Sequence, residues 1–188
     1  MIHFTIHTPE TAPTASKPLL DKSQKAFGLV PGLHGVLAEA PKALEAYQVL
    51  GTLFQDTSLT TIEQHVVWLT INYENDCGYC VPAHTGLAKR DAVPDDVIEA
   101  LRNGTPIADT KLEALRSFTV QVVQKRGWVT DDDVQAFLEA GYTKQQILEV
   151  ILGLAHKIIS NYTNHVAKTP VDAVFKKFAW EKPATEAA

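Results

Sequence analysis

Hydrophobic positions recur along this chain at spacings of three and four, and only His3 to His7 alternates at two, so the pattern predicts helices and no sheet. Val36, Leu37 and Ala40 mark a helical piece from His34, and after Pro41 the set Leu44, Tyr47, Leu50, Leu53 and Phe54 continues as an amphipathic helix to about Gln55. Gly51 inside it carries about 1 kcal/mol less helix propensity than alanine, which predicts a close neighbour there. Thr60-Thr61-Ile62-Glu63 reads as a capping box, with the Thr60 hydroxyl accepting a backbone N–H and Glu63 reaching back. The helix it opens carries Ile62, Val66, Leu69 and Tyr73 as a buried stripe to about Glu74, and Asn75-Asp76 ends it. Another helix starts at or just after Cys77 and runs to about Arg90.

Further along, Pro94-Asp95-Asp96 opens a helix to about Arg102, with Asn103-Gly104 as its terminator. Asp109 to Arg126 follows, with Leu112, Leu115, Phe118, Val122 and Val123 inward, and then a short helix from Asp131 to Glu139. Thr143-Lys144-Gln145-Gln146 repeats the capping-box pattern and opens the longest helix, to about Ala167; Val171 to Phe178 gives a last short one. Near the start, Pro9, Pro13 and Pro18 favour an extended arm over residues 1–20, lying on the surface or on a neighbouring subunit, before a short helix from Leu20 to Phe27. Residues 181–188 are small and polar and predict a disordered tail. The expectation is one all-α domain over 21–180.

Composition narrows the function classes. With 188 residues, 45% hydrophobic and 21% charged, the chain suits a single soluble core. A formal charge of -5 and the absence of a Lys/Arg run argue against nucleic acid or an anionic membrane as partner. The most apolar stretch, Ile147 to Ile159, is interrupted by Glu149, His156 and Lys157 and falls short of the roughly 20 residues that span a bilayer. No signal-peptide pattern opens the chain, so a cytoplasmic location is expected. There is no heme or flavin motif and no glycine-rich phosphate loop, hence no cofactor.

Candidate chemistry concentrates in one stretch. Both cysteines, Cys77 and Cys80, lie three apart, a spacing that chance would give in only about 1% of cases. His84 follows one helical turn beyond Cys80, and His65 sits on the preceding helix. Near a helix start, free N–H groups and the dipole favour thiolate over thiol for both sulfurs. His84 can then form a thiolate-imidazolium couple with Cys80 or take its proton. Cys80 would be the nucleophile and Cys77 would resolve its sulfenic acid as a disulfide. Two alternatives stay open: a metal-binding or redox-sensing module using His65, Cys77, Cys80 and His84, and an inert buried pair.

Glu63-Gln64-His65-Val66-Val67-Trp68-Leu69-Thr70, followed by Asn75-Asp76-Cys77-Gly78-Tyr79-Cys80-Val81-Pro82-Ala83-His84, resembles the core of the alkylhydroperoxidase D and carboxymuconolactone decarboxylase family. The Cys-x-x-Cys-x-x-x-His arrangement matches its peroxidase branch. The resemblance implies an all-helical fold, a homo-oligomer (trimer or hexamer), and a cysteine peroxidase acting on a small-molecule peroxide, recharged by a thiol reductant that is thioredoxin-like, glutathione or a lipoyl protein. It implies that Cys80 is peroxidatic, Cys77 resolving and His84 the relay base. The sequence departs from the family at two positions. His65 stands where the relay glutamate is expected, while Glu63 is rotated away by about 200° on the helix, and Tyr79 replaces the histidine found just before the second cysteine. No metal is implied.

Overall fold

The computed structural model describes residues 3–184, and these form nine α-helices and two 3-10 turns with no strand among them. His3 to His7, the one candidate strand, is irregular. Its His7 N–H donates to the Gly35 carbonyl of the same chain at 3.1 Å. Helix begins earlier than expected: a 3-10 turn over Thr14–Ser16 leads into α1, Lys17–Phe27, because Pro18 falls in the first turn, where its missing N–H costs nothing. The predicted tail reaches beyond the described residues at 185–188, and 181–184 are irregular.

Next come α2 (Gly32–Leu37) and α3 (Pro41–Gln55). Gly51 in α3 does have a close neighbour: a Cβ there would lie 3.1 Å from the ring of His156. The capping box at Thr60 and Glu63 forms as read and opens α4, Thr61–Glu74. Its buried surface is broader than the predicted stripe, since Glu63 through Asn72 are all buried. The polar members are met inside the protein; the Gln64 amide, for instance, donates to the carbonyls of Gln55 and Leu59. Helix α5 starts at Cys80, not Cys77, and ends at Arg90.

Around α4 pack α5, α6 (Asp95–Asn103), α7 (Thr110–Gln124) and α9 (Lys144–Ala167), while α8 (Asp131–Glu139) lies on α7. The main core runs through Val66, Leu69, Ile98, Leu115, Phe118 and Val150. A second, smaller core holds Leu20, Leu33, Leu44 and Tyr47 from α1 to α3, together with both cysteines. The dithiol therefore sits where α1 to α3 close over α5 and α9. A 3-10 turn over Ala173–Phe178, in place of the α-helix expected there, covers α5 from outside.

Candidate active site

Cys77 and Cys80 are both free thiols and both buried. Asp76 adopts a left-handed conformation at φ 52, which turns the chain sharply after α4 and brings Cys77 beneath the first turn of α5. The Val81 N–H donates to the Cys77 carbonyl at 3.0 Å, and the Cys80 N–H donates to the Cys77 sulfur at 3.3 Å. The two thiols are electrostatically unequal. Burial opposes ionisation of Cys80, but a hydrogen bond from the Cys77 thiol, the Lys157 ammonium, and the side-chain amides of Asn164 and Asn161 outweigh it and bring its pKa down to about 6. Asn164 Nδ2 donates to the Cys80 sulfur at 3.2 Å. The Cys77 thiol is pushed well up, because its hydrogen bond to Cys80, its burial and the Cys80 charge all favour keeping its proton. The expectation that a helix start lowers both thiols therefore fails for Cys77.

Lys157 was not among the expected residues. It comes from α9, is only 1% exposed, and its ammonium donates to His84 Nε2 at 2.8 Å. His84 is thus an acceptor on that nitrogen, and burial together with the Lys157 charge holds its pKa well below 6.5. A neutral imidazole cannot be the cation of a thiolate-imidazolium couple; Lys157 supplies that charge. The residue stood out in sequence only as a lysine inside the most apolar stretch of the chain.

His65 lies apart from the sulfurs. Its Nε2–H donates to Asp91 Oδ2 at 3.0 Å, just past the end of α5, and its ring meets Trp68 edge-on. Burial lowers its pKa, with Asp91 partly offsetting. Glu63 caps α4, accepting from the Thr60 N–H and hydroxyl. Tyr79 donates to Asp172 Oδ2, accepts from the Leu33 N–H at 3.2 Å, and so ties the α2 start to the C-terminal segment. His165 is exposed on α9, whereas His34 and His156 are buried.

A metal module on His65, Cys77, Cys80 and His84 does not assemble. Among the described residues no three His, Cys, Asp or Glu side chains converge as a metal site. The cation of Lys157 already lies against His84, and His65 is committed to Asp91.

A cavity of about 470 Å³ reaches Cys80, His84 and Lys157 between walls that include Phe27, Leu33 and Phe175. A second one, of about 210 Å³, shares His84, His34 and Tyr47 but extends to His65, Trp68, His156 and Asp91.

Fold and site together define a single-domain, all-helical protein built around a buried, asymmetric dithiol. Residues 38–121, which contain both cysteines, His65 and His84, match the model of the carboxymuconolactone decarboxylase family. The fold of the whole is that of the alkylhydroperoxidase AhpD core, as in an uncharacterized peroxidase-related protein from Ralstonia eutropha JMP134. That protein is 20% identical, with a TM-score of 0.82 over 92% of this chain and 93% of that one. A peroxidase-related protein from Silicibacter sp. TM1040 is 15% identical, with a TM-score of 0.79 over 93% and 92%. The debrominase Bmp8, as a cysteine-to-alanine variant in complex with 2,3,4-tribromopyrrole, is 14% identical, with a TM-score of 0.78 over 94% and 95%. No protein of curated function matches the chain. The resemblance to the alkylhydroperoxidase D and carboxymuconolactone decarboxylase family thus holds. No described helix is long and apolar enough to cross a membrane.

Proposed function

We propose that the protein is a cysteine-dependent peroxidase that reduces hydrogen peroxide or organic hydroperoxides through a Cys77-Cys80 dithiol/disulfide cycle. The asymmetry of the two thiols carries this reading: a low-pKa Cys80 on a cavity wall, with a proton-bearing Cys77 beside it. Thiolate is the nucleophile. It attacks one peroxide oxygen, the O–O bond breaks, and the departing alkoxide or hydroxide takes a proton from Lys157. The resulting sulfenic acid is attacked by Cys77, forming the disulfide and releasing water. The sum is one hydroperoxide and two thiols giving one alcohol, one water and one disulfide. His84, hydrogen-bonded to Lys157, restores the lysine proton.

The apolar walls favour organic hydroperoxides over hydrogen peroxide. A thiol reductant, thioredoxin-like, glutathione or a lipoyl protein, then returns two electrons. An exposed apolar stripe of Leu148, Ile151, Tyr162 and Val166 along α9 supports self-association through that face. The decisive measurement is peroxide consumption with a recycled reductant. Cys80→Ser should abolish it, and Cys77→Ser should undergo one oxidation per subunit and then stall. A Cys80→Ser protein turning over at the wild-type rate would refute the assignment.

The volume of the cavity supports a second reading, since about 470 Å³ exceeds what hydrogen peroxide needs and suits a ring. In it Cys80 takes bromine from a brominated arene, the arene gains a proton, and Cys77 displaces bromide to form the same disulfide. Bromide release from 2,3,4-tribromopyrrole, dependent on Cys80, would favour this reading over the first.

A further inference from the structure

One face of α5 lines the larger cavity along the whole length of the helix, through Cys80, Ala83, His84, Leu87 and Arg90. At spacings of three and four these side chains stack on one side of the helix. Exposure rises along the row: Cys80 and His84 are buried, Ala83 and Leu87 are half-buried, and the Arg90 side chain is 58% exposed. From Cys80 to Arg90 the helix axis advances about 15 Å. The cavity is therefore a slot, with the thiol at its closed end and a guanidinium at its mouth.

The fixed charges on this slot are all positive. The chain as a whole carries a formal charge of -5, yet among the described residues the charged side chains lining the slot are Arg90 and Lys157, with no carboxylate. Burial keeps His34 and His84 neutral at pH 7. Lys157 acts on the Cys80 thiolate at the closed end. Between the two cations the walls are apolar, with Phe27, Leu33, Leu87, Val174 and Phe175 among them. Asp91 does not use up the guanidinium: its Oδ1 accepts from Arg90 Nε at 2.8 Å and its Oδ2 from Nη2 at 3.2 Å. A guanidinium has five N–H donors, so the Nη1 side is left for a second acceptor. The Asp91 charge is also shared, since Oδ2 accepts from His65 as well. Lys22, from α1, lines the smaller cavity together with Arg90 and adds positive charge at this end.

We propose that the substrate of this slot is an amphipathic carboxylate, a fatty-acid hydroperoxide whose carboxylate pairs with Arg90 while its hydroperoxide, carried well along the apolar chain, reaches Cys80. The proposal rests on the peroxidase reading and narrows its substrate class. Bond changes are those of the cycle above: the Cys80 sulfur takes the terminal peroxide oxygen, the O–O bond breaks, the chain leaves as a hydroxy acid, and Cys77 closes the disulfide with loss of water. Arg90 forms and breaks none of these bonds. It holds the remote end of the substrate and so sets which part of the chain lies against the sulfur. Apolar walls alone would take any alkyl hydroperoxide of suitable width. A cation about 15 Å along α5 from the thiol adds a preference for charge at a given distance.

Binding is read first without turnover, as protection of Cys80 in the full chain from iodoacetamide by decanoate and by decanol, which share a chain and differ in charge. Decanoate should half-protect at a concentration about fivefold lower than decanol, the upper end of what an ion pair at an exposed mouth contributes. Arg90→Gln should bring decanoate to the level of decanol. Lys89→Gln removes a neighbouring charge that lines neither cavity and should leave the preference intact. Equal half-protecting concentrations in the wild type, or a preference that survives Arg90→Gln, would overturn the proposal. Turnover is then compared between linoleic acid hydroperoxide and its methyl ester, and the acid should show the lower KM by a similar factor, lost in Arg90→Gln. If the decanoate preference holds while neither hydroperoxide is consumed, the peroxidase reading falls and the carboxylate site stands. If both are consumed alike and decanoate shows no preference, the carboxylate site falls and the peroxidase reading stands.

Discussion

Replacing Lys157 with methionine removes the buried cation that acts on Cys80 while nearly keeping its volume. In the native protein the Cys80 thiol titrates at about 6 against an ordinary 9.0, with the Cys77 hydrogen bond the largest favourable contribution and the Lys157 charge the next. At pH 7 a thiol of pKa about 6 is roughly nine-tenths thiolate, and each further rise of one beyond 7 cuts that fraction about tenfold. Lys157→Met should therefore move the midpoint of Cys80 alkylation by iodoacetamide upward, toward 9.0, and slow the reaction at pH 7 by about tenfold if it reaches 8. Stability should fall only modestly. Removing one partner of a buried ion pair costs about 3–5 kcal/mol when the other stays charged, but the Cys80 thiolate can take up a proton and so avoid most of that cost. Leaving His84 Nε2 without its donor costs about 1–3 kcal/mol more. Thermal unfolding then serves as the control: a modestly lowered Tm with a displaced alkylation midpoint isolates the charge. An alkylation midpoint still at about 6 in Lys157→Met would refute the electrostatic account of the site.

Acid should unfold the protein earlier than its carboxylates alone require. Burial, then the Lys157 charge, holds His34 at about 4, and His84 and His156 are held well below 6.5. The unfolded chain binds these protons below 6.5 and the native one does not, so this stability is complete above 6.5 and lost as pH falls. His34 alone accounts for on the order of 3 kcal/mol by pH 4; urea midpoints that stay level from pH 7 to about pH 4.5 would contradict this. Asp172→Ala strips the acceptor from both the Gly32 N–H, at 3.0 Å, and the Tyr79 hydroxyl. The expected cost is about 1–3 kcal/mol, with faster proteolysis around 169–180 and an altered KM for the proposed substrate because Phe175 lines the larger cavity; unchanged proteolysis would show that Asp172 does not tie this segment down. If the exposed α9 stripe is the proposed self-association face, Leu148→Glu with Val166→Glu should give monomers in sedimentation velocity, and an oligomer that both leave intact would move the interface off α9.

Local chemistry was readable where one stretch of chain decides it. The capping boxes at Thr60 and Thr143 formed as written, because each closes within four residues. The buried face of α4 was not, since an amphipathic reading assumes that polar residues seek water, and five helices pack against this one. Gln64, His65 and Asn72 are instead paired or held inside. Spacing brought Cys77, Cys80 and His84 to attention and placed His84 near the thiol, yet the groups that set the Cys80 charge come from α9, some 80 residues later: Lys157, Asn161 and Asn164. No periodicity links α5 to α9. Lys157 did leave one trace, a charge in an apolar run with no neighbouring carboxylate in sequence, which is costly unless the fold has a use for it. Asp91 and Asp172 left none, being ordinary acids in loops.

The histidine at position 65 and the lysine at 157 belong to one electrostatic arrangement. A thiolate at Cys80 gains from a nearby cation and loses from a nearby anion. Lys157 brings the cation in, at the expense of desolvation that lowers its own pKa. Two carboxylates near the site are each kept engaged, Asp91 by Arg90 and His65, Asp172 by Tyr79 and the Gly32 N–H. His65 thus engages the Asp91 carboxylate at the far end of the smaller cavity. His65→Glu would bring a second carboxylate up against Asp91 and closer to the thiolate. It should raise the alkylation midpoint of Cys80 above that of wild type, an effect opposite to that of restoring a missing catalytic acid. A lowered or unmoved midpoint with faster peroxide turnover would show instead that position 65 merely lacks its glutamate.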